Sequence, residues 1–436
     1  MSVLRWAALP TLIMGLACGS DASAATAKIL YSFCIQAGCT DGQAPRGNLV
    51  TDASGDIFGV TASGGDSDSG VVFELVHDAQ SGTWTYQRIY SFCSAMACPD
   101  GIDPIGSLVI DTQGRLYGVT TFDGAFSFGT LYRLAPSHGS WTYKVLADFC
   151  MQANCTDTGS PSAGLSYKGQ ASGMPYDGTS PLYGVTEAGG ATNKGVVFEA
   201  TPGRKKNWKV STIYNFCSLP SCADGGLPEA RMTLDDAGDI VGIASFGGEN
   251  PFGGGTVFRL SSKNGHKWKE KTLHSFCALD QCADGGSSNQ IGFDAKGDIL
   301  GTTVEGGTNG KGVLFRLNAG GKHQTYAVLY DFCAKPNCSD GAVPEGPVTL
   351  DASGNMFGTT TVAGTWFNDP FHQGGGTIFE FSHNHYRTLA DFCSQADCAD
   401  GGFPWNALLP DGSGNYFGVA EIGGAGHNGT IFELTP

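Results

Sequence analysis

Residues 105–150 read IGSLVIDTQGRLYGVTTFDGAFSFGTLYRLAPSHGSWTYKVLADFC. The stretch breaks into four apolar runs, at 107–111, 115–120, 129–134 and 141–149. Each is rich in Val, Leu, Tyr or Phe and is bounded by Gly, Pro or Asp, the signature of short strands joined by turns. The last run ends on Phe149-Cys150, and Cys150 opens a Cys-x4-Cys pair. The first cysteine of such a pair recurs at 34, 93, 150, 217, 277, 333 and 393. A period of about 60 residues marks a chain of like units. Four strands per unit and seven units predict an all-β, seven-bladed β-propeller with four antiparallel strands per blade. A stacked β-helix needs far fewer residues per turn, and a sandwich shows no seven-fold self-similarity. We letter the strands of a blade A to D from the channel outward.

The two ends of the repeat array fit each other. Residues 28–33 (KILYSF) form a D-type run with no A, B or C before it, and residues 429–434 (GTIFEL) form a C-type run with no D after it. The N-terminal strand is therefore expected to complete the last blade and leave no open edge. This gives a single propeller domain over 25–436, preceded by an export signal over 1–24. In that signal Arg5 is the positive region, 7–17 is the apolar stretch, and Ala22-Ser23-Ala24 offers small residues for cleavage. A lipoprotein signal with Cys18 as the lipidated residue is the alternative. The expected location is secreted or periplasmic, with no transmembrane segment and a monomeric state.

Composition supports these expectations. The 436 residues include 66 Gly, and charged residues make up only 15%, as suits many tight turns. The net charge of -16 repels phosphate backbones, so nucleic acid is not an expected partner. The nearest basic run is Arg204-Lys205-Lys206, read as an exposed turn. Of the 15 cysteines, fourteen form seven pairs: Cys34 with Cys39, Cys93 with Cys98, Cys150 with Cys155, Cys217 with Cys222, Cys277 with Cys282, Cys333 with Cys338 and Cys393 with Cys398. Regular pairs on an exported chain read as disulfides. Zinc would need four ligands, and no second pair or His recurs beside them. Neither a metal site nor a cofactor is expected.

Three recurring motifs read as structure. Asp-x-x-Gly-Asp/Asn, as at 52–56, 235–239, 294–298 and 351–355, lacks the full acidic spacing of a calcium loop and reads as the A–B hairpin turn. Asp-Gly follows the second cysteine at 41, 100, 224, 284, 340 and 400, with Asp157-Thr158 departing. Trp84, Trp141, Trp208 and Trp268 open D strands and read as blade-edge packing. The runs Leu116-Tyr117-Gly118-Val119-Thr120, Gly189-Gly190 and Gly195-Val196-Val197-Phe198-Glu199, with equivalents at 57–61, 357–360 and 417–419, resemble the GloVer tandem repeat of exported bacterial "choice-of-anchor" proteins. The resemblance covers nearly the whole mature chain and implies a surface or secreted protein without implying a reaction. No sorting tail follows the last strand, which puts anchoring by that route in doubt.

Function is sought where the repeats differ. The residue after the D–A proline position is Arg46, Ile105, Ser162, Glu229, Ser288, Glu345 and Trp405. Two residues on come Asn48, Ser107, Gly164, Arg231, Gln290, Pro347 and Ala407. These positions ring the expected channel mouth. Glu229 and Glu345 are candidate acid/base carboxylates, or else ion-pair partners of Arg231 and Arg46. The B–C loops add Phe122, Phe126, Phe128, Phe246 and Phe252. The longest, 361–376, holds Trp366, Phe367, Asn368, Asp369, Phe371 and His372. Aromatic faces beside amides and carboxylates suit sugar rings, though the same rings also pack loops. The expected ligand-binding set is Trp405, Trp366, Phe367, Phe371, Asn368, Asp369, Arg231 and Gln290. Candidate catalytic residues are Glu229, Glu345, Arg46 and His372. The leading reading is an exported, non-catalytic binding protein for a glycan or a protein. A polysaccharide lyase or glycoside hydrolase at the mouth, and a structural surface protein, are the alternatives. The insert at 169–180 lies in an A–B hairpin and reads as decoration.

Overall fold

A computed structural model describes residues 25–203, 208–235, 237–250, 253–262, 267–318, 324–366 and 373–436. The expected export signal, Cys18, the basic run at 204–206 and Phe252 lie outside them. Seven antiparallel sheets follow one another along the chain. Strand β1 (Thr26–Ser32) comes first and waits for the last sheet. Blade 1 holds β2 (Gln43–Thr51), β3 (Ile57–Ser63), β4 (Val71–Asp78) and β5 (Thr83–Ser91). Blade 2 holds β6 (Ile102–Ile110), β7 (Leu116–Phe122), β8 (Thr130–Ser137) and β9 (Ser140–Asp148). Blade 3 holds β10 (Leu182–Thr186), β11 (Val196–Pro202) and β12 (Trp208–Asn215). Blade 4 holds β13 (Thr233–Leu234), β14 (Ile240–Ala244), β15 (Thr256–Ser262) and β16 (Trp268–Ser275). Blade 5 holds β17 (Gly286–Phe293), β18 (Ile299–Glu305), β19 (Val313–Asn318) and β20 (Thr325–Asp331). Blade 6 holds β21 (Thr349–Leu350), β22 (Met356–Thr360), β23 (Thr377–Ser382) and β24 (His385–Asp391). Blade 7 holds β25 (Leu409–Pro410), β26 (Tyr416–Ala420) and β27 (Thr430–Thr435), and β1 pairs antiparallel with β27 as its fourth strand. The first and last strands thus close the ring of a seven-bladed β-propeller.

The core lies between blades. Phe58, Val60, Val72 and Phe92 of blade 1 pack on Leu108, Leu116, Tyr132 and Leu134 of blade 2. The same arrangement joins blade 7 to blade 1 through Phe417, Val419 and Ile431 against Leu49, Ile57 and Leu75. Each D strand ends on a buried Phe that meets a C-strand ring edge to face, as Phe33–Phe73 at 5.2 Å and Phe332–Phe379 at 5.3 Å. That C-strand ring lies flat over the B-strand glycine. A Cβ on Gly59 would stand 2.5 Å from Phe73 Cζ, which is why the B strands carry Gly mid-run. The D-strand tryptophans pack across blade edges: Trp84 on Phe417, Trp141 on Phe58, Trp208 on Tyr117 and Trp268 on Tyr183.

The cysteines pair as the spacing predicts. Cys34 is bonded to Cys39, Cys93 to Cys98, Cys150 to Cys155 and Cys217 to Cys222. Cys277 is bonded to Cys282, Cys333 to Cys338 and Cys393 to Cys398. In every pair both cysteines take a left-handed backbone, which curls the loop tightly enough to bring the two sulfurs together. Cys39, Cys155, Cys222, Cys282, Cys338 and Cys398 each end a single 3-10 turn. Cys98 closes its loop through its N–H, which donates to the Ala95 carbonyl.

The Asp after each second cysteine cradles the loop. Asp41 accepts the backbone N–H groups of Ile35 and Gln36, and Asp340 those of Ala334 and Lys335. A D-strand hydroxyl completes the cradle where Tyr is present: Tyr31, Tyr90, Tyr214 and Tyr330 donate to Asp41, Asp100, Asp224 and Asp340. The carbonyl of the same Asp accepts the hydroxyl of the next blade's D-strand Tyr, as Tyr86 to Asp41 and Tyr143 to Asp100. Disulfide, Asp and Tyr therefore form an inter-blade latch. In the A–B hairpins, Asp52, Asp294 and Asp351 take the backbone N–H groups of their own turns.

Two expectations change. The A strands of blades 4, 6 and 7 shrink to two residues each, and that of blade 3 to isolated bridges at Pro161 and Ser166. Within the insert at 169–180, Tyr176 joins the core of blades 2 and 3: it is 1% exposed, bridges to Asp111 and meets Tyr117 edge to face at 5.4 Å. An aromatic ring that loses nearly all its water contact contributes stability and is not decoration.

Candidate functional site

The D–A and B–C loops gather on one face. Before the D–A proline of blades 1, 2, 4, 6 and 7 the chain takes a left-handed turn, at Ala44, Asp103, Leu227, Val343 and Phe403. Such a conformation costs a non-glycine residue about 1 kcal/mol or more and persists where the surroundings fix it. Here each of these residues donates its N–H to a carbonyl of the preceding blade: Ala44 to Asn428, Asp103 to Ser69, Leu227 to Lys194, Val343 to Lys311 and Phe403 to Gly375. The next two residues, a proline and the variable one, are therefore aimed by the fold. Close by, the A strands approach so tightly that a Cβ on Gly47 would stand 2.1 Å from the Gly106 carbonyl oxygen.

The result is a cavity of about 690 Å³ at the axis, within the range of small-molecule sites. Arg46, Glu229, Glu345 and Trp405 all line it, with Ile105, Leu227, Phe246 and Val304 as apolar wall. Arg46 donates Nε and Nη2 to Glu421 Oε1, at 3.3 and 2.8 Å, across the seam between blades 7 and 1. The expected matches of Arg46 and Arg231 with Glu345 and Glu229 are not formed. Arg231 turns away to donate Nε to the Leu165 carbonyl at 3.1 Å, and its own burial pulls its pKa down to about 10. Burial pushes the Glu345 carboxyl up to about 7, helped by Glu421; nearby Thr361 and Arg46 oppose this without cancelling it. Burial also raises Glu229, with repulsion from Glu187 adding to it and Ser245 opposing it. Three polar atoms at this wall are buried with no hydrogen-bond partner: Glu345 Oε2, Thr361 Oγ1 and Asn406 Nδ2. A second cavity of about 670 Å³ runs outward over blade 5 and shares Ser287, Val304 and Glu345 with the first.

The sequence-predicted ligand and catalytic residues divide into three groups. Arg46, Glu229, Glu345 and Trp405 converge. Arg231, Gln290 and Trp366 do not line the cavity; Trp366 stands exposed on the blade 6 B–C loop, and Gln290 lies at an irregularity of β17. Phe367, Asn368, Asp369, Phe371 and His372 lie outside the described residues. Of the disulfide cysteines, Cys277 and Cys282 of blade 5 line the second cavity. Cys39, Cys98, Cys155, Cys222, Cys338 and Cys398 line neither cavity, and their part is to brace the loops around the mouth. Asn406 and Glu421 were not foreseen. Glu421 stands three residues after the B-strand glycine, where the other blades carry Ala62, Thr121, Glu187, Ser245, Val304 and Thr361. That position varies as much as the one after the D–A proline, and comparing repeats there would have found it.

The face has a second character. Among the described residues, every large exposed hydrophobic side chain except Met174 lies on it, from Met96 and Leu279 in the disulfide loops to Trp405 at the mouth.

The repeat that builds this face is known. A family model for the Gloeobacter/Verrucomicrobia repeat matches residues 15–181 and 251–436. The chain belongs to this family. No curated protein matches it. Among solved structures the repeat protein is similar to the sialidase of Trypanosoma rangeli, at 11% identity and a TM-score of 0.43, covering 94% of this chain and 59% of that one. It is also similar to a protein of unknown function from Dyadobacter fermentans, at 15% identity and a TM-score of 0.41, covering 95% and 99%. A gluconolactonase from Xanthomonas campestris follows, at 12% identity and a TM-score of 0.33, covering 58% and 67%. Seven disulfides point to maturation outside the cytosol. No helix among the described residues is long and apolar enough to cross a membrane.

Proposed function

We propose that this protein is an exported binding protein that takes a glycan at the channel mouth and carries out no reaction on it. The observation that supports this is the convergence of Trp405, Phe246, Arg46, Glu229 and Glu345 on one axial cavity. Trp405 is 37% exposed, so a ring face is available to ligand, and pyranose C–H faces stack on such rings. Charged and amide groups beside it give hydroxyls their partners. Export rests on the apolar stretch at 7–17 and the small residues at 22–24, with lipidation of Cys18 as the alternative maturation.

A glycan array on the purified protein tests the reading. Binding should appear and fall at least tenfold in Trp405→Ala, with no reducing sugar released. A protein that bound no glycan, or bound equally well in Trp405→Ala, would refute it. A second reading, a glycoside hydrolase, draws on one feature: Glu345 is held partly protonated at neutral pH, while Glu421 beside it is paired with Arg46. Release of reducing ends, abolished in Glu345→Gln with binding retained, would favour the hydrolase.

A further inference from the structure

The wall of the mouth cavity carries an acceptor and a donor with nothing to bind. Glu345 Oε2 is sealed from solvent and has no hydrogen-bond partner, and neither has Asn406 Nδ2. Asn406 as a whole is 9% exposed and lines the cavity together with Glu345. The two are neighbours: a Cβ on Gly346, the residue after Glu345, would stand 2.7 Å from the Asn406 carbonyl oxygen. A buried carboxylate oxygen and a buried amide without partners cost free energy. Native structures leave few of them.

No ion pair to Glu345 forms among the described residues: Arg46 bears on it only through space, and Lys311 lines the second cavity beside it without pairing. Arg46 is committed to Glu421 through both Nε and Nη2. Lys194 stands over the Phe246 ring at 5.2 Å and does not line the cavity. Since Glu421 offsets Arg46, Glu229 and Glu345 leave the cavity with an excess of acid. The chain as a whole adds a field of the same sign, with a net charge of -16. What the wall lacks is a positive group that donates, set beside a hydroxyl that accepts, on a body with an apolar face for Trp405.

We propose that the mouth of this propeller recognises a glycan bearing free amines, with Glu345 and Asn406 rotating their shut-off Oε2 and Nδ2 into the cavity to accept from the amine of an amino sugar and to donate to an adjacent hydroxyl. The inference rests on the glycan reading above and names its ligand class. An N-acetyl group in place of the amine removes the charge and adds bulk where the carboxylate waits, so acetylation should weaken binding.

Isothermal titration of the full protein with the linear tetramer of glucosamine and with its fully N-acetylated counterpart tests this directly. The free-amine tetramer should bind at least tenfold more tightly. Glu345→Gln should erase that preference, and Asn406→Ala should weaken the free-amine tetramer about tenfold. Asp280→Asn, which removes an exposed carboxylate away from the cavity, should leave the preference intact, separating recognition from attraction to a negatively charged surface. The ligand pair makes the comparison on the unmodified protein, so a variant that fails to fold does not block it. Equal affinity for the two tetramers, or a preference that survives in Glu345→Gln, overturns the amine assignment. If the array shows another glycan while both tetramers fail, the amine assignment falls and the glycan reading stands. If the array is also blank, both fall. Tighter binding of a lysine-rich peptide than of either tetramer overturns the assignment in favour of a protein ligand.

Discussion

The titrating groups of this propeller pull its stability in opposite directions with pH. Burial works against ionised Asp224 and Asp284, but hydrogen bonds outweigh it: Tyr214, Ser218 and loop N–H groups for the first, His274 and loop N–H groups for the second. Both are held below the usual Asp value. A carboxyl depressed on folding adds stability at pH above its unfolded value, and that stability is lost as pH falls through the folded value. Glu345 has the reverse sign: raised to about 7 by burial, it favours folding more as pH falls from about 8 toward its unfolded value. Melting temperature should therefore rise from pH 8 to about 5 and drop below about pH 4, as read by circular dichroism. Glu345→Gln should weaken the upper limb, which Glu74, raised by burial to about 6, shares, and leave the lower one. A flat profile across both ranges would contradict this. Where packing decides, the B-strand glycines are the sensitive positions. Gly59→Ala sets a methyl against Phe73 and should cost about 1–3 kcal/mol, measured by denaturant unfolding.

At the level of elements, β1 carries the closure. It supplies a ladder to β27, from Thr26 opposite Thr435 to Ser32 opposite Thr430 with one bulge between Ile29 and Tyr31, and it leads into Phe33, which is fully buried against Phe73. Deleting 25–33 exposes β27 as an open edge and empties that space. Losing a buried Phe alone costs about 3–5 kcal/mol. The truncated protein should melt at least 10 °C lower and should self-associate through the bare edge, as seen by light scattering. An unchanged melting temperature would mean that the ring closes without this strand. The closure was legible because an orphan D-type run and an orphan C-type run complement each other, and the blades were legible because Phe-Cys recurs at each D-strand end. Periodicity reports what repeats, so it missed what does not. The inner strands of blades 4, 6 and 7 fade although Pro45 and Pro104 stand inside full-length A strands at the same repeat position, so the proline does not mark which blades lose theirs. The insert at 169–180 seemed external because its docking partner, Tyr117, is over 50 residues away in sequence. At the site, Arg46, Glu229, Glu345 and Trp405 stood out by differing between repeats at a proline-fixed position. Glu421 and Asn406 stand beside that position and escaped a comparison confined to it.

Over the whole molecule, the disulfides and the candidate site share one face. Each bridge spans a sequence separation of 5. A loop that small contributes about 2 kcal/mol in the chain-entropy account. Seven together are comparable with the whole stability of an ordinary domain, about 5–15 kcal/mol. The bridges also hold the Asp cradles that tie one blade's D strand to the next, so their loss is felt between blades as well as within them. The B-, C- and D-strand ladders, in contrast, do not pass through the cysteines. Reduction should therefore act first on the loops that aim Arg46, Glu229, Glu345 and Trp405. With increasing reductant, affinity at the mouth should fall while the far-UV spectrum is still native. The melting temperature should drop by 10 °C or more once all seven bridges are open. The count of titratable thiols should track both effects. Full reduction that left affinity and melting temperature unchanged would show that the Asp–Tyr latches alone hold the mouth in place.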